Sequence, residues 1–183
     1  MSDRIYVIAG KAESLVNVKC QELLDSLLTP EERMTGLLSV DGNDAEISSV
    51  LDELRTAPFL TSKRVVVVRG ADEFVSKSRE ILEKYFEKPS STGVLVLTMS
   101  NWDSRTRLAK RLPKVGKLIA IAEPKRGQLP QHLIQYASAT HKVRLARDAA
   151  GLLVELAGEE LPQLHNEVDK LVPVSYTHLT LPT

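Results

Sequence analysis

Arg55-Thr-Ala-Pro-Phe-Leu-Thr-Ser-Lys-Arg-Val-Val-Val-Val-Arg-Gly-Ala-Asp-Glu-Phe74 sets an apolar triplet, Pro58-Phe59-Leu60, directly before a strand that must be buried. Val65 to Val68 are apolar on both faces of a pleated strand, which suits the centre of a parallel sheet covered by helices. In a nucleotide-hydrolysing domain of that kind the strand ends in Asp-Glu, a Mg2+ ligand and a base for the attacking water. Here Arg69-Gly70 stand in that place, a cation and a residue without a side chain, and Asp72 and Glu73 follow in what reads as the next loop. The strand has the form of an ATPase strand without its chemistry. Phe59 and Leu60 leave two readings open, a loop tip folded back on the sheet or an apolar contact offered to a partner.

Outward from this stretch, strands and helices alternate. Ile5 to Ala9 and Gly36 to Val40 read as strands, as do Val94 to Met99 and Lys117 to Ile121. The first helix spans Ala12 to Leu28, with Val16, Cys20, Leu23, Leu24 and Leu27 at helical spacing. Asp44 is positioned to cap a second helix whose Ile47, Val50, Leu51 and Leu54 share a face. A third helix, about Lys77 to Glu87, turns Ile81, Leu82, Tyr85 and Phe86 inward, and a short basic one runs from Arg105 to Leu112. This order predicts an α/β fold with a doubly wound, mostly parallel sheet. After residues 123–130 the pattern is helical only, with helices at Gln131 to Ala139, Arg147 to Leu156 and Leu161 to Leu171, Gly158 ending the second and Pro162 near the start of the third. The expected division is a sheet domain over 1–123, a three-helix domain over 124–171, and an uncharged tail over 172–183 that reads as a non-native read-through segment.

The 183-residue chain carries 24 Lys and Arg against 24 Asp and Glu, so no global field draws it to nucleic acid or anionic lipid. Cys20 is the single cysteine and has no partner for an internal disulfide. No stretch approaches the roughly 20 apolar residues of a membrane helix. Met1-Ser-Asp-Arg4 leads into a strand without a signal-like region, so a cytoplasmic protein is expected.

Catalytic motifs are missing. Gly10-Lys11 follows the first strand, but a P-loop needs Gly-x-x-x-x-Gly-Lys-Ser/Thr, and Glu13 stands where phosphate would meet negative charge. The dinucleotide signature Gly-x-Gly-x-x-Gly and the nucleophile turn Gly-x-Ser-x-Gly are absent. His132, His141, His165 and His178 are scattered, none at the close spacing of a metal pair. Cys20 reads as a small buried side chain of the first helix. No catalytic residue, metal or cofactor is expected. The strongest local charge is Arg105, Arg107, Lys110, Arg111, Lys114 and Lys117, with Trp102 just before it; it reads as a solvated helix face or as a non-specific phosphate contact.

With Tyr6-Val-Ile-Ala-Gly10 upstream, Thr92-Gly-Val-Leu-Val-Leu97 downstream and Leu153-Val-Glu-Leu-Ala-Gly-Glu-Glu-Leu161 later, the opening stretch resembles the delta subunit of the bacterial DNA polymerase III clamp loader over residues 4–171. The resemblance implies an AAA+-like sheet domain without a working ATP site, a three-helix lid, and then a helical collar, before which this sequence is expected to be truncated. It also implies a part in DNA replication: binding and opening the sliding clamp (the beta subunit), beside other clamp-loader subunits that hydrolyse ATP, near primer-template DNA and away from membranes. By position the clamp contact maps to Phe59 and Leu60 with Pro58, in Phe-Leu order where the family more often has Leu-Phe, and the possible DNA contacts to Arg105, Arg107, Lys110, Arg111 and Lys114. Two other classes make different predictions: a doubly wound nucleotide-binding enzyme, and a DNA-binding module using the basic face.

Overall fold

The computed structural model describes residues 3–58, 61 and 63–177. The chain divides into two compact units, Met1–Ala122 and Glu123–Thr183. In the first, β1 (Ile5–Ala9), β2 (Leu37–Asp41), β3 (Arg64–Arg69), β4 (Gly93–Met99) and β5 (Gly116–Ala120) form one sheet in the order β2-β3-β4-β1-β5. Every pairing is parallel, so the doubly wound α/β expectation holds and "mostly parallel" becomes wholly parallel among the described strands. The connecting helices are α1 (Glu13–Leu27), α2 (Pro30–Gly36), α3 (Ile47–Arg55), α4 (Asp72–Lys77), α5 (Arg79–Glu87) and α6 (Arg107–Val115).

The four valines explain the layering. All are fully buried, and successive side chains leave a strand on opposite faces. Val65 and Val67 pack with Val94, Val96 and the Val16, Cys20 and Leu24 stripe of α1. Val66 and Val68 pack on the other face with Leu54 of α3, Phe74 of α4, Phe86 of α5 and Leu112 of α6. Each such side chain contributes about 1.5–3 kcal/mol by leaving water, which is why this run seats β3 inside the sheet.

Several local expectations change. Helix α2 is an addition to the expected elements, begun by a reciprocal capping box between Thr29 and Glu32 with Pro30 at the helix start. Asp44 does not cap α3: its N–H closes a turn on the Asp41 carbonyl at 3.2 Å, and the helix begins after Glu46. Asp72 and Glu73 are not loop residues but open α4, a helix separate from α5. Ile81 is 44 % exposed rather than inward. It stands about 100° around the helix from Leu82, whose face with Tyr85 and Phe86 is the buried one. Helix α6 continues past Pro113 to Val115 instead of ending at Leu112.

In the second unit α7 (Leu129–His141), α8 (Arg147–Ala157) and α9 (Leu161–Thr177) bury Leu133, Ala137, Ala150, Leu164 and Val168. Gly158 ends α8 at φ 87°, a left-handed conformation that favours glycine. The apolar periodicity stops at Leu171, yet the α9 backbone stays helical to Thr177, since extending a formed helix adds a hydrogen bond for each residue fixed. Among the described residues no helix is long and apolar enough to cross a membrane.

Candidate functional site

The two ends of β3 differ in chemistry. At its carboxyl end a cleft of about 460 Å³ opens across the ends of β1 to β4, lined among others by Lys11, Asn17, Asp41, Arg69, Asp72 and Ser100. Doubly wound folds bind ligands at this edge. Here the polar groups already hold one another. Arg69 donates to Ser39 Oγ at 3.1 Å and to Asn17 Oδ1 at 3.2 Å, tying β3 to β2 and α1. Asp72 accepts from the Ser100 N–H at 3.0 Å and its hydroxyl at 2.7 Å, so its carboxylate secures the turn after β4 instead of facing a metal. Gly70 adopts φ 59° and its N–H bonds Thr98 Oγ1 at 3.1 Å, making the turn that carries the chain from β3 into α4. The Gly10 N–H, where a phosphate cradle would begin, bonds the Met99 carbonyl at 3.0 Å. Lys11 is exposed at the rim.

At the amino end of β3 lies the loop that carries the apolar triplet. It leaves α3 through Thr56, whose N–H and hydroxyl both bond the Asp52 carbonyl, at 2.9 and 2.8 Å. Pro58 is half-buried; Phe59 and Leu60 lie outside the described residues. The loop returns through Thr61, whose hydroxyl donates to the Lys63 carbonyl at 2.9 Å. Its base is closed by Arg64, which grips Glu53 with Nη2 to Oε1 at 2.6 Å and to Oε2 at 2.9 Å, and Nε to Oε2 at 3.2 Å. Arg64 Nη1 also donates to the Thr35 carbonyl at the end of α2.

The basic residues divide into two sets. Arg111 is bound to the sheet unit, donating to the Glu83 carbonyl at 2.8 Å and pairing with Glu87 at 2.7 Å. Arg105 is 90 % exposed, pairs with Asp103 and precedes α6; Arg107 faces Glu83 at 3.8 Å. Lys110, Lys114 and Lys117 are exposed, and no ion pair engages them among the described residues. Cys20 is buried, which pushes its thiol up, so it is packing and not a nucleophile.

Three of the four histidines are not scattered in space; His178 lies outside the described residues. In the second unit His132 and His165 face each other with Nε2 atoms 2.8 Å apart, and Tyr136 stacks on the His165 ring at 3.8 Å. Tyr136 donates to Asp169 at 3.0 Å, and the same carboxylate oxygen meets His141 Nε2 at 2.6 Å. Burial, reinforced by the Asp169 carboxylate, pushes the Tyr136 phenol up to about 12. Burial, then the neighbouring His132, lowers His165 to about 4, while Asp169 opposes them. No group of three or more His, Cys, Asp or Glu among the described residues is placed to hold a metal. A histidine protonated near pH 6.5 when unfolded, but only near 4 when folded, contributes stability that is present above pH 6.5 and is lost as pH falls toward 4. Stability of the second unit should therefore fall by roughly 2 kcal/mol from pH 7 to 5 through this group. In His165→Gln that share of the slope should vanish; thermal melts at the two pH values that show equal slopes in both proteins contradict the assignment.

Residues 6–122 match the family model described as DNA polymerase III, delta subunit. Among solved structures the chain is similar to the Bacillus subtilis DNA clamp loader delta protein, at 22 % identity and a TM-score of 0.67, covering 94 % of this chain and 53 % of that one. It is also similar in fold to the Thermotoga maritima RuvB Holliday junction branch migration motor, at 11 % identity and a TM-score of 0.54, covering 96 % of this chain and 56 % of that one. The chain thus spans about half the length of each of these proteins. Among curated proteins none matches. The matched residues make up more than half of the chain, which belongs to the DNA polymerase III delta-subunit family.

Proposed function

We propose that this chain acts as the clamp-binding subunit of a clamp loader: Phe59 and Leu60, with Pro58, enter an apolar pocket on the sliding clamp and loosen its ring interface, while partner subunits hydrolyse ATP. The contrast between the two ends of β3 carries this reading. The polar groups of the carboxyl-end cleft are engaged with one another through Arg69 and Asp72, whereas the sequence sets the apolar triplet Pro58-Phe59-Leu60 before the amino end of β3, where Arg64 and Glu53 join β3 to α3. Opening is testable with a sliding clamp labelled by a self-quenching fluorophore pair across its ring interface. Adding the chain should raise fluorescence in proportion to occupancy; binding without a rise contradicts the opening role.

The same reading expects no nucleotide chemistry. Isothermal titration with Mg-ATP should give no heat of binding, because Arg69 occupies the carboxylate position and no P-loop is present. Micromolar affinity, or phosphate release lost in Lys11→Ala, contradicts it.

A second reading assigns Arg105, Arg107, Lys110 and Lys114 to primer-template DNA, favoured by the exposed Lys110 and Lys114, which no ion pair engages among the described residues. Arg111 is set apart from this group by its bonds to α5. Binding through these side chains should weaken with salt at a log–log slope of about −0.9 for each phosphate neutralised, and Lys110→Glu with Lys114→Glu should flatten that slope.

A further inference from the structure

We infer that His132 and His165 form an acid-opened latch between the first turns of α7 and α9: the bonded pair holds one hydrogen between its rings, and a further proton forces a hydrogen onto a buried nitrogen that has no partner. The inference concerns the second unit alone and stands apart from the clamp reading.

His132 is the fourth residue of α7 and His165 the fifth of α9. Their Nε2 atoms lie 2.8 Å apart, which leaves room for one hydrogen between them. The other ring nitrogen of His165, Nδ1, is shut off from solvent and has no hydrogen-bond partner among the described residues. The His165 side chain is 4 % exposed, and Tyr136 stacks on its ring with the planes 5° apart. Leu129, Leu133, Leu161 and Leu164 are buried in the same first turns. His132 is half-buried, and its own Nδ1 is not sealed in this way.

These positions assign the tautomers. A neutral pair has two protons for four ring nitrogens, and one of them lies between the Nε2 atoms. Placed on His165 Nδ1, the other would be a buried N–H without an acceptor, so it belongs on His132 Nδ1. His165 Nε2 therefore donates to His132 Nε2. A third proton has only one place left while the pair stays bonded. Whichever ring takes the charge, both Nδ1 atoms then carry hydrogen, and that of His165 becomes an unanswered donor within a buried cationic pair. Both rings also stand near helix N-termini, whose positive ends oppose a cation. Parting the rings and letting His165 reach water removes the conflict.

The charged groups around the pair do not offset this cost. Asp169, one turn along α9, favours a charged His165, but its Oδ1 already accepts from Tyr136 at 3.0 Å and meets His141 Nε2 at 2.6 Å. Helix α8, also packed on α9, buries Ala150 and leaves Arg147, Asp148 and Glu155 exposed. Arg126, ahead of α7, pairs with Glu159, and Glu167 of α9 pairs with Lys170. His141 can donate to Asp169 whether neutral or protonated, so that tether between the helices survives acid and the opening is confined to their first turns.

The test is nitrogen-15 NMR of the imidazole rings in the full chain, joined to native-state hydrogen exchange. At neutral pH, His165 should carry its hydrogen on Nε2 and His132 on Nδ1. Between pH 7 and 5 the amides of residues 133–137 and 165–169 should exchange about twentyfold faster after correction for the intrinsic pH dependence, while those of β3 keep their corrected rates. His165→Phe keeps a ring against Tyr136 but cannot titrate, and its corrected rates should be nearly equal at the two pH values. His141→Gln should retain the full acceleration. A hydrogen on His165 Nδ1 at neutral pH, equal corrected rates in the parent at both pH values, or an acceleration that survives in His165→Phe overturns the latch. Should His165→Phe fail to fold, the ring protonation and exchange of the parent decide alone.

Discussion

Gly93→Ala is expected to destabilise the first unit by about 2–3 kcal/mol, lowering its thermal midpoint by roughly 10 °C. The added methyl would meet the Leu54 carbonyl oxygen at 2.3 Å, its carbon at 3.0 Å and Cα at 3.1 Å, all backbone atoms that no rotamer change can move. Neither side can yield easily. β4 is paired to β3 and to β1, and the Leu54 side chain is fully buried in the core beneath α3. Gly127→Ala, where an added Cβ meets nothing within 4 Å, is the control and should leave the midpoint near the parent. Equal midpoints for Gly93→Ala and the control contradict this account of how α3 is seated.

The largest effect on binding should come from Phe59→Ala with Leu60→Ala. Two apolar side chains moved from water into a pocket contribute about 1.5–3 kcal/mol each, so losing both should cost roughly a hundredfold to ten-thousandfold in affinity. Stability should change by no more than about 0.5 kcal/mol, as for surface substitutions, against about 2–5 kcal/mol for each large core side chain truncated. Urea unfolding of the double variant separates the cases: a much lower midpoint marks the pair as core.

The layered sheet was legible because Val65 to Val68 admit one environment, apolar on both sides, and the structure divides them between the two faces as that pattern requires. The departure from an ATPase strand was legible from Arg69-Gly70, but the bonds made at that end of the strand were not. That Arg69 would reach Asn17 and Asp72 would hold Ser100 depends on contacts 52 and 28 residues apart, which no local pattern records. The His132 and His165 pair escaped for the same reason, being 33 residues apart on different helices. α2 is a different case: Thr29-Pro-Glu-Glu32 is a local capping signal that was present and unread, because the stretch lacks an apolar stripe.

The central claim is that the chain binds the clamp through its β3 loop tip. One isothermal titration series tests it most directly, with a bacterial sliding clamp titrated by the parent chain and by Phe59→Ala with Leu60→Ala, both confirmed folded by circular dichroism. The account predicts a saturating exothermic or endothermic isotherm for the parent and an affinity at least about a hundredfold weaker for the double variant. A folded double variant that binds with the parent's affinity, or a folded parent that does not bind at all, contradicts it.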